Sequence, residues 1–272
     1  MITKLPISVH EKPWGLTQLP EPFGHLSGAP VGEIWFDPPP GAELLVKYLF
    51  TSDRLSIQVH PDDEQAKQRG KALGKEECWY IVDARPGAVI GIGTWRILDA
   101  AGLRTACLSG EIEELLEWHP VSAGMFFHVP PGTVHAIGAG ISLIEVQQNS
   151  DVTYRLYDYG RPRPLHLREA IDVAHAGPMP QALRQFVDPM QTLPLLRSAA
   201  LNVFHYSAAD SRIVNLTTST LIIPIAGHVE LGGVAICSGE CALVEGEDRI
   251  EMKHGARLLA ALSGLDSARA GL

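Results

Sequence analysis

The chain has 272 residues and a formal charge of −9, with 22 Lys and Arg against 31 Asp and Glu, a length that suits one large β-rich domain or two smaller ones without stabilising staples. The acidic balance, without a basic block or a basic–aromatic stretch, argues against nucleic acid and anionic membrane as partners and leaves a small soluble molecule. Cys78, Cys107, Cys237 and Cys241 are too few and too scattered for a disulfide framework, and no apolar run nears the roughly 20 residues that span a bilayer, so a reduced cytoplasmic setting is expected.

Residues 44–50 and 55–60 read as short strands, the second alternating so that Ser56, Gln58 and His60 share one face and Leu55, Ile57 and Val59 the other. Pro61 followed by Asp62, Asp63 and Glu64 marks the first turn of a helix reaching about Arg69, since proline fits there and carboxylates complement the dipole. Strands are expected at 78–82 and 88–92, then a short helix over 111–118 with Ile112, Leu115 and Leu116 on one face. Strands at 124–129 and 143–147 follow, and a helix over 164–174. Residues 178–194 form a proline-interrupted connector, after which the β rhythm resumes at 200–206, 212–216, 221–225, 227–231, 234–238, 242–244 and 258–261. Many short strands between Gly, Pro and Asp turns, with few and peripheral helices, predict an all-β fold of barrels or sandwiches rather than a βαβ sheet.

Gln58, His60, Glu77 and His135 offer nitrogen and oxygen ligands at spacings no helix could supply. Converged by the fold, they suit a borderline divalent cation such as zinc, with water or a substrate oxygen completing the shell. The same residues also read as two core-edge histidines and a strand-edge carboxylate, and spacing alone leaves both readings open. Beyond residue 198 the histidines His205, His228 and His254 are isolated, so that half reads as scaffold.

The run from Gly124 to His135, with its Pro130-Pro131-Gly132 turn, resembles the second motif of the cupin superfamily. Segments 57–63, 74–80, 130–136 and 145–159 together resemble the type I mannose-6-phosphate isomerases, a likeness covering about residues 8–175. It implies a double cupin: a catalytic unit at 1–177, a connector at 178–198 and a cupin-like β unit at 199–272. It further implies one zinc ion on Gln58, His60, Glu77 and His135, an active-site arginine at Arg155, a pocket lysine at Lys75, a pocket carboxylate at Glu145 and an N-terminal signature at Lys12-Pro13-Trp14-Gly15.

The implied reaction interconverts mannose 6-phosphate and fructose 6-phosphate through a cis-enediol. It moves a proton between C1 and C2 while negative charge develops on the oxygens, a cost that a cation and a guanidinium both lower. Glu145, Lys75 and metal-bound water all stand open as proton carriers. For the phosphate, Arg54, Arg161, Arg163, Lys12 and Lys75 are the available cations. Longer family members carry a helical insertion that walls the pocket; the stretch between His135 and Arg155 has no room for one, as in compact bacterial forms. An isomerase or epimerase of another sugar, and a carbohydrate-sensing cupin that releases its ligand unchanged, are the alternatives.

Overall fold

The computed structural model describes residues 1–264 apart from Thr217 and Glu247; residues 265–272 of the expected second unit lie outside it. Among the described residues, four sheets built from antiparallel pairs stack face to face. The seven-stranded sheet runs Arg184–Phe186, Met125–Val129, Glu77–Ala84, Ile141–Gln148, Leu44–Phe50, Val31–Phe36 and Ile7–Leu16. The five-stranded sheet runs Tyr154–Tyr157, Ile57–Val59, His135–Ile137, Val89–Thr94 and Leu116–Pro120. Farther along the chain, a six-stranded sheet centred on Thr220–Ala226 and Arg257–Ser263 faces a four-stranded one centred on Asp248–Met252 and His228–Leu231. The all-β expectation holds, and no helix among the described residues is long and apolar enough to cross a membrane.

Period-two alternation explains the stacking. Every residue of Leu44–Phe50 is buried, because both faces of its sheet are covered. One face sends Val46, Tyr48, Phe50, Ile144 and Val146 against Leu201, Val203, Ile223 and Leu259 of the six-stranded sheet. The other sends Leu49, Trp79, Ile81 and Leu143 toward Ile90, Ile92 and Ile137 of the five-stranded sheet. On its far side the five-stranded sheet packs Ile57, Val59 and Leu156 under the helices Ala100–Ser109 and Leu167–Val173. The space between the six- and four-stranded sheets is filled by Ile222, Val229, Leu231, Ile236, Ile250 and Leu258, which leaves that interior apolar.

Ile144 is fully buried in the core between the seven- and six-stranded sheets. Ile144→Ala is expected to lower unfolding free energy in urea by about 2–5 kcal/mol, the usual cost of a cavity at such a site. Metal content per folded chain should be unchanged, because Ile144 points away from the five-stranded sheet. A loss under about 1 kcal/mol would mean that this core is not a close-packed joint.

Several elements differ from the expectation. The helix expected over 111–118 is a single turn, Ile112–Leu115, followed by the strand Leu116–Pro120. That strand pairs with Val89–Thr94, and the ladder outweighs the helical spacing of its leucines. A longer helix precedes it at Ala100–Ser109, capped where Asp99 accepts from the Gly102 N–H at 2.7 Å and ended by Gly110 at φ 85°. Its glycine, threonine, cysteine and serine are weak helix formers, so little periodic signal marked it. The helix expected from Pro61 spans Asp63–Lys67, with Asp62 and Gln65 forming a reciprocal capping box. Residues 178–198 contribute the strand Arg184–Phe186 to the seven-stranded sheet and Leu193–Arg197 to the six-stranded one, while the opening strand Ile2–Lys4 pairs with Ala242–Val244.

Candidate metal centre and active site

Two rows of side chains face one another between the five- and seven-stranded sheets. On the first, Gln58 stands directly opposite His135 on one neighbouring strand and Arg155 on the other. Paired residues in an antiparallel ladder share a face, so all three project the same way, and His60, two residues on from Gln58, joins them. On the second, Glu145 stands opposite Lys47 on one side and Trp79 on the other. Glu77, two residues before Trp79, therefore faces the histidines. The turn carrying His135 is tied to His60: the Gly132 N–H donates to the His60 carbonyl at 2.8 Å. Gly132 sits at φ 82°, where a side chain would be strained and would run into His175.

The ligand atoms of His60, Glu77 and His135 all lie within 4.8 Å of one another, and all three residues are buried. His60 Nε2 is 3.6 Å from Glu77 Oε2 and His135 Nε2 is 3.3 Å from Glu77 Oε1. Each imidazole gives its Nδ1–H to a backbone carbonyl, His60 to Val152 at 2.8 Å and His135 to Thr133 at 2.9 Å. That fixes the tautomer and leaves both Nε2 lone pairs turned toward Glu77, as in metal-bound histidine, whose other ring N–H is held by a carbonyl or carboxylate.

Charge states agree with this reading. Burial pushes the His135 pKa down to about 3 despite the opposing pull of Glu77, and burial with Lys75 lowers that of His60, so both rings are neutral. Burial alone would raise the Glu77 carboxyl, but the Lys75 ammonium outweighs it and holds the group well below the usual carboxylate range. Among the described residues neither Glu77 oxygen has a hydrogen-bond donor in good geometry, although Lys75 Nζ lies 2.7 Å from Oε2. Two neutral imidazoles around a buried, under-satisfied carboxylate fit a divalent cation. Gln58 stands beside them with Nε2 3.3 Å from His135 Nε2 and its oxygen accepting from Ser56 Oγ at 3.2 Å. Ligation by Gln58 calls for the reverse amide orientation, a simple exchange of its two ends.

The cluster adjoins a cavity of about 570 Å³ whose lining includes Gln58, Lys75, Glu145 and Arg155. Glu145 Oε1 lies 3.2 Å from Lys47 Nζ and 3.8 Å from Lys75 Nζ, and its Oε2 accepts from Trp79 Nε1 at 3.2 Å. Burial works against the charge on Lys75, yet Glu145 and Glu77 prevail and raise its pKa, so its ammonium persists. Arg155 reaches the Pro164 carbonyl at 3.4 Å and makes no ion pair among the described residues.

No protein-family model matches the chain. It is 37% identical over 216 residues to a mannose-6-phosphate isomerase of Streptococcus mutans, covering 76% of this chain and 67% of that protein. To mannose-6-phosphate isomerase ManA of Bacillus subtilis it is 35% identical over 258 residues, covering 91% of this chain and 76% of the relative. The chain belongs to the mannose-6-phosphate isomerase family. The crystal structure of the mannose 6-phosphate isomerase from Bacillus subtilis superposes with a TM-score of 0.77 at 24% identity, over 96% of this chain and 99% of that one. The double-cupin fold implied by the sequence resemblance is therefore the fold observed.

Within this member of the mannose-6-phosphate isomerase family, the cations suggested for the phosphate separate cleanly. Lys12, Lys75 and Arg163 line the cavity. Arg54 and Arg161 do not: Arg54 pairs with Glu113 and lies over the Tyr159 ring at 4.0 Å, and Arg161 reaches Asp53 at 2.5 Å. Sequence reasoning missed Lys47 and Glu33, which also line the cavity. Lys47 bridges Glu145 and Gln147 Oε1, the latter at 2.6 Å, and lies 4.5 Å from the Trp35 ring centre. Glu33 accepts from Trp35 Nε1 at 2.7 Å. A lone charge inside an apolar strand, as in Leu44–Phe50 and Val31–Phe36, was the available signal, since such a charge needs a polar interior to face.

Proposed function

We propose that the chain interconverts mannose 6-phosphate and fructose 6-phosphate in the cytoplasm. We assign zinc to Gln58, His60, Glu77 and His135, and the substrate-facing roles to Arg155, Glu145 and Lys75. The observation that carries this reading is the buried His60/Glu77/His135 cluster, in contact with Gln58 and Lys75, which line one cavity together with Glu145 and Arg155, in a chain of this family. Mixed nitrogen and oxygen donors suit zinc among the common divalent ions. Residues 1–177 are the catalytic unit and 199–272 a supporting one, joined through 178–198; the apolar filling of the second barrel accords with that division.

A cation held there supplies Lewis acidity and orients the open-chain sugar. Glu145 accepts the C2 proton of the open-chain aldose; the C2–H electron pair enters the C1–C2 bond, and the cis-enediol forms as O1 gains a proton. The neutral Glu145 carboxyl then returns the proton to C1, the C1–C2 π pair forming the new C1–H bond, while O2 becomes the ketone by giving its proton to the cavity water that protonated O1, so no net proton is gained or lost. Lys75, held charged, faces this carboxylate and favours build-up of negative charge beside it. Arg155 stabilises the same charge without giving up a proton, because a guanidinium stays protonated.

The test is a coupled assay of fructose 6-phosphate formation, on protein stripped with chelator and reloaded separately with zinc, manganese or cobalt. Turnover should be absent from the stripped sample and return with zinc. Arg155→Ala should keep its zinc and lose about a hundredfold in kcat/KM, comparable to deleting one donor to a developing oxyanion. Folded, loaded protein without turnover would move the reading to another sugar phosphate; ligand binding without deuterium exchange at C1 or C2 would make it a sensor.

A further inference from the structure

We propose that Arg163, aimed into the cavity by the buried carboxylate of Asp158, is the residue that selects phosphorylated over unphosphorylated sugar, an inference that rests on the isomerase reading above. Asp158 has a fully buried side chain and serves two arginines in different ways. It takes Arg163 in a two-pronged grip, Nε to Oδ2 and one terminal nitrogen to Oδ1, both at 2.6 Å. Such a fork fixes the plane of the guanidinium as well as its position. The other terminal nitrogen, Nη1, makes no hydrogen bond among the described residues, and the side chain lines the cavity.

Arg161 touches the same carboxylate at 3.2 Å, but its other terminal nitrogen is taken by Asp53 at 2.5 Å and the Arg54 carbonyl at 2.7 Å, and it lines no part of the cavity. The buried carboxylate is thus braced from behind by one arginine while it presents the other.

Charge and position agree on the ligand. At the metal end the charges of Lys47 and Lys75 are matched by Glu145 and Glu77, and Lys12 is matched by Glu33 at 3.4 Å. Among the described residues Arg155 has no carboxylate partner, and its terminal nitrogen reaches the carbonyl of Pro164, the residue next to Arg163. With Arg155 assigned to the reacting oxygens, Arg163 is the cation that this side of the cavity offers to a phosphate dianion, its guanidinium plane set by Asp158. Arg163 follows the edge strand Tyr154–Tyr157, whose backbone lies two strand spacings, about 10 Å, from that of His135 across the sheet. A hexose 6-phosphate likewise carries its charged group at the end away from its reacting carbons. Asp158 is a positioning residue in this account, and Arg163 makes the contact.

The experiment uses the full zinc-loaded chain. It compares kcat and KM for mannose 6-phosphate, turnover of mannose, and the Kd of inorganic phosphate by calorimetry, for wild type, Arg163→Ala, Arg163→Lys, Asp158→Asn and Arg161→Ala. Arg163→Ala should raise KM and the phosphate Kd by about 10- to 100-fold, the loss expected for hydrogen bonds to a charged group. Its kcat should stay within about threefold and its turnover of mannose should not fall, because only binding at the phosphate end changes. Arg163→Lys should recover part of the affinity. Asp158→Asn should shift KM in the same direction by less, because a neutral amide still accepts one bond. Arg161→Ala should change KM by less than about threefold, as expected for a brace outside the cavity.

Equal phosphate Kd values for wild type and Arg163→Ala, or a larger rise in Arg161→Ala than in Arg163→Ala, would overturn the assignment. Should Asp158→Asn not fold, the Arg163 variants decide alone, since that side chain is partly exposed. Failure of the isomerase reading is separable: wild type would not turn over mannose 6-phosphate, yet the phosphate titration would still distinguish Arg163→Ala from wild type if the site is as described.

Discussion

His135→Ala is expected to fold, to lose its divalent cation on dialysis, and to fall at least about a hundredfold in turnover, at or beyond the upper end of what losing an outer-shell partner costs. His135 is buried, with its Nε2 3.3 Å from Glu77 and its Nδ1 held by Thr133, so it contributes one ligand atom in a fixed orientation. Truncation leaves Glu77 and His60 facing each other across an enlarged gap. The Glu77 charge is not abandoned, because Lys75 Nζ lies 2.7 Å away and neutralises it, which is why the chain should still fold. Metal content by mass spectrometry gives the direct reading. Added zinc should raise the melting temperature of wild type by mass action and leave that of the variant unmoved. Equal metal content in the two proteins would remove His135 from the ligand set.

Glu145→Gln is expected to keep its zinc and lose about 10²- to 10⁴-fold in kcat, the range associated with a lost general base. The amide preserves size, but its single oxygen can accept from only one of Lys47 and Trp79, which now lie 3.2 Å from separate carboxylate oxygens. What disappears is the capacity to take a proton from C2. The variant also removes the charge that, with Glu77, keeps Lys75 protonated, so part of the loss would come through that neighbour. Solvent deuterium exchange at C1 and C2 separates the contributions, because exchange depends on proton removal itself. Wild-type exchange in the variant would transfer the proton-carrying role elsewhere in the cavity.

Much of this was legible along the chain because it is local. Alternation alone put Ser56, Gln58 and His60 on one face with Ile57 and Val59 behind them, and the structure buries those two under helices. The carboxylates after Pro61 announced a helix start, and Asp62 indeed caps it. The glycine–proline turn before His135 carries a conformation that few other sequences adopt, which is why that motif could be recognised. Where local signals competed, they misled. The leucines at 115 and 116 fit a helix as well as a strand edge, and only pairing with Val89–Thr94 decided between them.

The sequence by itself determined which residue types could do chemistry, the face each presents on its own strand, and the family to which their order belongs. Only the tertiary structure decided which of them meet. Glu145 stands between Lys47 and Trp79 because three strands distant in the chain pair in one register, and Glu77 meets His60 and His135 because two sheets pack face to face. Arg161 and Arg163 are the same residue type two positions apart, alike to any reading of the string. They differ because Asp53 draws one outward while Asp158 holds the other in the cavity wall. Partner, burial and local charge are properties of packing, and packing is set by contacts between segments that the linear order keeps apart.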